Sequence, residues 1–304
     1  MNNSTRISGF SVLCGLFAVN FSFAQTSVAP NATPVTTNQS PLARHYTEGE
    51  KLIYHMKGDN DGWTYEIQAN GVVKKDASGH LIEEYGWSDL KSNAPMSMSA
   101  TSLDFRQTLS LDPATPPAIP NLSQVQTFLI GPITDMLTFY SDLWLAIQQS
   151  GLKRLGDHAY VKVGTPAPWA DGNYVTLGED SIDFDLILKE LNNSTQIATL
   201  LVRHVPPAQP KVKLPAQWMQ TPVADTPNNW VQVSNQSGKY IAAVGKETFD
   251  VEIKISLKDG KILSATLDNV VKTRNRECSD AAVLDCGQAS DRQIHRRIEL
   301  HLVP

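Results

Sequence analysis

Cysteine is scarce in this chain, basic residues do not gather, and no apolar run reaches membrane-spanning length. Each shortage removes a class of function. There are only three cysteines. If Cys14 leaves with an N-terminal leader, Cys278 and Cys286 remain. Their spacing is not that of a C-x-x-C redox pair, and two thiolates without a neighbouring His make a poor zinc cage. In an oxidising compartment such a pair is a structural staple, and closing the short loop Ser279–Asp285 is worth roughly 2–3 kcal/mol in the chain-entropy model. Lys and Arg number 26 against 31 Asp and Glu, for a formal net charge of −5. They are scattered instead of striped, so a phosphate backbone has no electrostatic footprint to bind. The seven histidines show no H-x-x-x-H, H-E-x-x-H or H-x-H spacing. A G-x-S-x-G elbow, a phosphate-binding loop and a dinucleotide glycine motif are also absent from the sequence.

What the chain does have is alternation. Leu103, Phe105, Leu109 and Leu111 share one face of an extended segment, as do Ile182, Phe184, Leu186 and Leu188. The same holds for Phe249, Val251, Ile253, Ile255 and Leu257, and for Ile294, Ile298, Leu300 and Leu302. Successive strand side chains point to opposite sides, so these segments predict antiparallel sheet with one dry and one wet face. The fold class expected is mainly β (α+β): a curved antiparallel sheet or half-open barrel covered by one long central helix.

Met1–Ala24 has a single charge, Arg6, then the apolar run Phe10–Val19, then Ser22-Phe23-Ala24 with small residues at alternate positions. That is the pattern of a cleaved signal peptide, and the run is shorter than the roughly 20 residues a spanning helix needs. The expected location is therefore exported, periplasmic or extracellular. Residues 25–44, rich in Thr, Pro, Asn and Ser and nearly uncharged, read as a disordered linker. A single β-rich domain is expected over 45–304, with structure beginning near Glu48. In it, Leu52, Tyr54 and Met56 alternate, and Gly58–Gly62 makes a turn. Asn70-Gly71 and Ser78-Gly79 are hairpin signals, and Leu81, Glu83, Tyr85 and Trp87 form the next strand face.

A helical insertion is expected at about 122–151. Ser123 with Gln126 suits a capping box opening a short helix that Gly131 ends, and Pro132 opens a second one. Ile133, Met136, Leu137, Tyr140, Leu143, Trp144 and Ile147 then recur at helical spacing, with Asp135, Thr138, Asp142 and Gln149 opposite, until Gly151. Burying those seven apolar side chains contributes on the order of 10 kcal/mol before ordering costs. Pro206–Pro227 is either a domain boundary or a wrapping loop.

The signals for chemistry are few. Asp59-x-Asp61-Gly62 lacks two of the ligands a calcium loop needs, because Lys57 and Gln68 stand at those positions, and reads as a turn. Glu179, Asp180, Asp183 and Asp185 form the densest acidic run, yet Ile182, Phe184 and Leu186 take the dry face, which sends the acids to solvent. Trp169-Ala170-Asp171-Gly172 and Asn228-Asn229-Trp230 pair tryptophan with polar groups, as sugar platforms do, although core plugs at loop mouths share the pattern.

Gly49-Glu50-Lys51-Leu52-Ile53-Tyr54 resembles the G-E-x-L-x-Y opening of a bacterial family of exported domains of unknown function. The order strands, buried helix, strands is similar to the open β-cup of periplasmic lipoprotein carriers and related lipid-binding envelope proteins. Val244–Val303, with Asp268-Asn269 and the two cysteines, resembles uncharacterised exported bacterial proteins, and no activity comes with that resemblance. It implies a noncatalytic envelope protein that binds a lipid or other hydrophobic ligand between the sheet and the helix. The seven helix residues Ile133 to Ile147 are the candidate pocket, and neither a cofactor nor a metal is expected. The alternative is a hydrolase of envelope glycans or esters with Asp180 or Asp183 in acid and base roles. An outer-membrane barrel fits poorly, since Leu302-Val303-Pro304 lacks the terminal aromatic and a helix has no place in such a wall.

Overall fold

In the computed structural model the described residues are 40–93, 103–118, 120–121, 125–164, 174–177, 181–205, 216–228, 230–236 and 238–304. The leader, most of the linker, Ser123, Trp169–Gly172, Glu179, Asp180 and Asn229 lie outside them. The elements in order are β1 (Lys51–Asn60), β2 (Trp63–Lys75), β3 (Leu81–Ser92), β4 (Gln107–Ser110), α1 (Thr127–Ile147), β5 (His158–Gly164), β6 (Tyr174–Leu177), β7 (Ser181–Asn192), β8 (Ile197–Val205), β9 (Trp230–Gln236), β10 (Lys239–Ser256), β11 (Ile262–Cys278) and β12 (Ser290–Leu302). The strands form one curved, open antiparallel sheet whose main path runs β4-β3-β2-β1-β12-β11-β10-β8-β7-β5, with β9 on the other half of β10 and β6 on β9.

The alternation places a continuous apolar surface on one side. Across the sheet Leu188 pairs with Leu200, Leu200 with Ile253, Ile253 with Ala265, Ala265 with Leu300, Leu300 with Met56 and Met56 with Ile67. All of them are buried in a single cluster with α1. Three residues along the strands, and so on the other side, the sheet carries charge: Asp185 pairs with Arg203, Arg203 with Asp250, Asp268 with Arg297 and Arg297 with Asp59. A slip of one residue would exchange the two rows, so burial itself sets the register.

The cup's curvature is tied to two glycines. Gly58 pairs with Tyr65, and Gly71 with Tyr85. Each tyrosine ring lies across its glycine so closely that a Cβ there would sit 2.1 Å from Tyr65 or 2.4 Å from Tyr85. Aromatic rings covering strand glycines are a known means of bending sheets without leaving a void. This corrects the reading of Asn70-Gly71 as a hairpin: both residues sit inside β2, and the glycine serves a ring instead of a turn. The actual turns are Asp61-Gly62, both at positive φ, and the Asp76–His80 loop, where the Asp76 carboxylate accepts from the Ser78 and His80 amides.

In sequence the helix joins the two strands at the ends of the sheet path, β4 and β5, and it packs on the apolar face against β4 and β10. It is one continuous helix, not two. Pro132 lies within it, and the Thr134 hydroxyl donates to the Ile130 and Gly131 carbonyls in the same turns. The expected wet side is also overturned, since Asp135 and Asp142 are 1% and 2% exposed. A helix packed into a curved sheet leaves only a partly exposed strip, at residues such as Thr138 and Trp144.

Order begins earlier than the linker reading places it. Leu42 and Arg44 are buried, and the strap Ser40–Tyr46 crosses one end of the cup, with its Arg44 guanidinium donating to the Ser110 carbonyl and its His45 amide to that of Asp259. A smaller second core sits on the opposite face of the long β10–β11 hairpin. There Val231, Val233, Ala242 and Val244 pack with Met219, Val283 and Cys278. Trp218 lies in the 3-10 turn Gln217–Gln220, and its indole donates to the Val283 carbonyl at 3.0 Å. The Asn228 amide holds the Met219 and Thr221 carbonyls. Cys278 and Cys286 are disulfide-bonded.

Gly58→Ala and Gly71→Ala should each lower stability by about 1–3 kcal/mol through overpacking, read as a fall in the urea midpoint at unchanged slope. A midpoint equal to that of the parent would contradict the ring-over-glycine account. Replacing Cys278 and Cys286 together by Ser should cost about 2 kcal/mol and speed proteolysis within Ser279–Asp285 before the main cup is cut.

Candidate functional site

The inside of the cup is not uniformly apolar. On β3 the inward phase carries Glu83, Tyr85 and Trp87, all buried. One carboxylate oxygen of Glu83, Oε2, accepts from the Tyr85 hydroxyl at 2.6 Å and from the Tyr140 hydroxyl of α1 in a short bond, and the two hydroxyls lie 2.8 Å apart. Tyr46 from the strap and Tyr54 from β1 stand in the field of the same carboxylate. Arg44 stacks over the Tyr140 ring at 5.5 Å. Burial raises the Glu83 carboxyl above the usual range, opposed by hydrogen bonds from Tyr140 and Tyr85 and by the Arg44 charge. Burial, and next the Glu83 charge, lift Tyr46, Tyr54, Tyr85 and Tyr140 well above ordinary phenols.

Within this group the demand for hydrogen bonds exceeds the supply. Arg44 Nε and Nη2 are buried without a hydrogen-bond partner, whereas the Tyr46 and Tyr54 hydroxyls, though outside good bonding geometry, interact with Glu83 and Tyr140. Buried polar groups nearly always find partners, because an unmet one costs about 1–3 kcal/mol. A buried carboxyl shared among several tyrosines, beside a guanidinium only partly used, makes this the chemically unusual part of the interior.

Two further polar positions touch the helix. Asp135 is buried against Arg296 in a short ion pair and accepts from the Tyr65 hydroxyl at 2.8 Å. Asp142 has an unpartnered carboxyl oxygen, and desolvation alone raises it well above the usual carboxylate range. On β10, Glu247 is pushed up to about 7 by burial, against the pull of the Asn269 amide that donates to it at 2.8 Å.

Of the residues the sequence nominates, Ile133, Met136, Leu137, Tyr140 and Leu143 are fully or nearly fully buried. Trp144 and Ile147 are partly buried against the same core. The Trp144 indole and the Gln148 amide both donate to the Pro113 carbonyl, pinning the end of the helix to the loop after β4. Only Tyr140 of the seven joins the polar group. Arg44, Glu83, Tyr46 and Tyr54 were not nominated, although Glu83 on the apolar phase of a strand was a usable signal. Asp183 lies out of phase with the buried Phe184, Leu186 and Leu188, but it is only partly exposed and its Oδ1 is buried without a hydrogen-bond partner. Asp185, expected in solvent, is only 8% exposed and meets the half-exposed His158 ring at 3.2 Å. Among the described residues no group of three or more His, Cys, Asp or Glu is arranged to hold a metal ion. Nor is any helix there long and apolar enough to cross a membrane. No family model, curated protein or solved structure matches the chain.

Glu247→Gln provides a test of the buried acids. Glu247 ionises near 4.5 when unfolded and near 7 when folded. Between those values the folded chain binds more protons, so stability falls as pH rises and levels off above about pH 7. Removing the acid should therefore gain up to about 3 kcal/mol at pH 8 and almost nothing at pH 4.5, measured as urea midpoints at the two pH values. An equal effect at both would contradict the raised carboxyl.

Proposed function

We propose that the protein is a noncatalytic exported binding protein that holds an amphipathic or hydrophobic molecule in its β-cup, with α1 as a displaceable plug. The observation that carries this reading is the state of the helix. Most of its residues are buried, and it brings Asp135, Ser141 and Asp142 into an apolar interior, where the Ser141 hydroxyl and one Asp142 oxygen go unpartnered. A plug chosen for stability alone would be apolar at those positions, because each unmet group lowers the cost of moving the helix out. The strands that α1 joins, β4 and β5, are the two ends of the sheet path, so no ladder hydrogen bonds need break between them. Signal-peptide patterning at Met1–Ala24 and the disulfide agree with an oxidising destination.

The hydrolase alternative has less behind it. Its described carboxylate, Asp183, lies on the sheet face opposite the cup, and Asp180 lies outside the described residues.

Protein purified from its native host should carry extractable lipid, and the stripped protein should bind a fluorescent fatty acid or lysolipid. Trp144→Ala, which removes one of the two bonds pinning the helix end to Pro113, should change ligand affinity several-fold while far-ultraviolet circular dichroism stays that of the parent. Stripped protein that binds neither probe would overturn the proposal.

A further inference from the structure

The second core, on the outer face of the β10–β11 hairpin, shares no buried residue with the main one. Two short pieces of chain close it. One is the segment Ala216–Asn228, which supplies Ala216, Trp218 and Met219 and is folded on itself by the Asn228 side chain. The other is the disulfide loop Ser279–Asp285, which supplies Val283. They meet where the Trp218 indole donates to the Val283 carbonyl at 3.0 Å, and Arg276 of β11 stacks over the same indole at 5.0 Å.

Val283 is held away from its preferred backbone conformation. Its φ is 51°, and among the described residues it is the one β-branched side chain at positive φ. Such a residue stays in the left-handed region only where its surroundings impose it. Here the loop imposes it. The Val283 amide donates to the Asp280 carbonyl at 3.2 Å, the Asp280 carboxylate accepts from the Leu284 and Asp285 amides at 3.1 and 2.7 Å, and the Cys278–Cys286 bond ties the two ends. Opening that bond lets the loop relax and withdraws the carbonyl that Trp218 binds.

We propose that this disulfide is a redox latch on the second core. Intact, it presents the strained Val283 to Trp218 and keeps Ala216–Asn228 seated on the hairpin. Reduced by a small thiol, it releases that segment and bares the apolar patch of Val231, Val233, Ala242 and Val244, while the cup stays folded. The thiolate bonds to the Sγ of Cys286, which is only partly buried where Cys278 is 2% exposed. The Cys286–Cys278 bond breaks, and its electron pair leaves on Cys278 Sγ, which takes up a proton. Arg276 shares a face of β11 with Cys278, two residues away, and its positive charge favours the departing thiolate. A second thiolate then attacks the sulfur of the first thiol, forming the small-molecule disulfide and leaving Cys286 as a thiolate that is protonated in turn. Two thiols are oxidised for each protein disulfide reduced.

The test equilibrates the oxidised full-length protein with glutathione buffers of graded ratio, reads the reduced fraction by alkylation and mass, and follows hydrogen exchange in both forms. Reduction should speed exchange of the Met219 and Thr221 amides, which donate to Ala216 and Trp218 within the segment, by about 10-fold or more and leave Ile253 and Leu267 as they were. Because coupling is reciprocal, Trp218→Phe, which keeps a ring and removes the indole donor, should make the disulfide about 3- to 10-fold easier to reduce. Should the reduced chain aggregate, the double variant Cys278→Ser with Cys286→Ser supplies the exchange reading in its place. Met219 exchange unmoved by reduction, or a glutathione equilibrium unmoved by Trp218→Phe, would overturn the latch and leave a plain staple. Equal acceleration at Ile253 and Leu267 would overturn it as well, because the cup and the second core would then open as one.

Discussion

An open sheet curved around an apolar face cannot keep that face dry by itself, and in this chain the segment that completes it is also the covalent link between the two edge strands. The rest of the structure follows from that constraint. Linking β4 to β5, α1 packs on the apolar face against β4 and β10. Most of its residues are buried there, so the polar ones must be met from within the cup. Arg296 and Tyr65 meet Asp135, and Glu83 and Tyr85 meet Tyr140. Asp142 keeps one oxygen unmet.

The same tyrosines serve curvature and polarity together. The rings of Tyr65 and Tyr85 lie over Gly58 and Gly71, which lets the sheet bend without a void. Their hydroxyls then reach Asp135, Glu83 and Tyr140. Bending the sheet and holding the helix are thus one device, in which the ring covers backbone on one side while its polar tip binds the plug on the other. This coupling accounts for buried acids in a protein that otherwise hides aliphatic side chains.

Much of the fold was legible because it rests on period-two alternation, a signal local to each strand. Val251, Ile253 and Ile255, or Ile298 and Leu300, could be assigned to the dry face from their spacing alone, and the helical spacing from Ile133 to Ile147 located the plug. The errors arose where long-range contacts outweigh local propensity. Asn70-Gly71 suits a turn until the Tyr85 ring from the next strand needs the glycine. Gly131-Pro132 reads as a helix break until burial keeps the helix continuous. Asp135 and Asp142 look like a wet face until the sheet wraps round them. Leu42 and Arg44 look like linker because the carbonyls that hold this strap, Ser110 for Arg44 and Asp259 for His45, lie far away in sequence. For the same reason the polar group at Glu83 could not be assembled from the chain, as its members come from the strap, β1, β3 and α1.

The account depends most on the helix being a plug that can leave without unfolding the sheet around it. Native-state hydrogen exchange, followed residue by residue in the stripped protein, tests this directly. The amides of Met136–Leu143 should exchange through an opening of lower free energy than those of Ile253 and Leu267 in the central strands, and bound ligand should change the exchange of the helix far more than that of the strands. Helix amides that exchange only with global unfolding, at the same free energy as the central strands and indifferent to ligand, would show α1 to be fixed core and contradict the account.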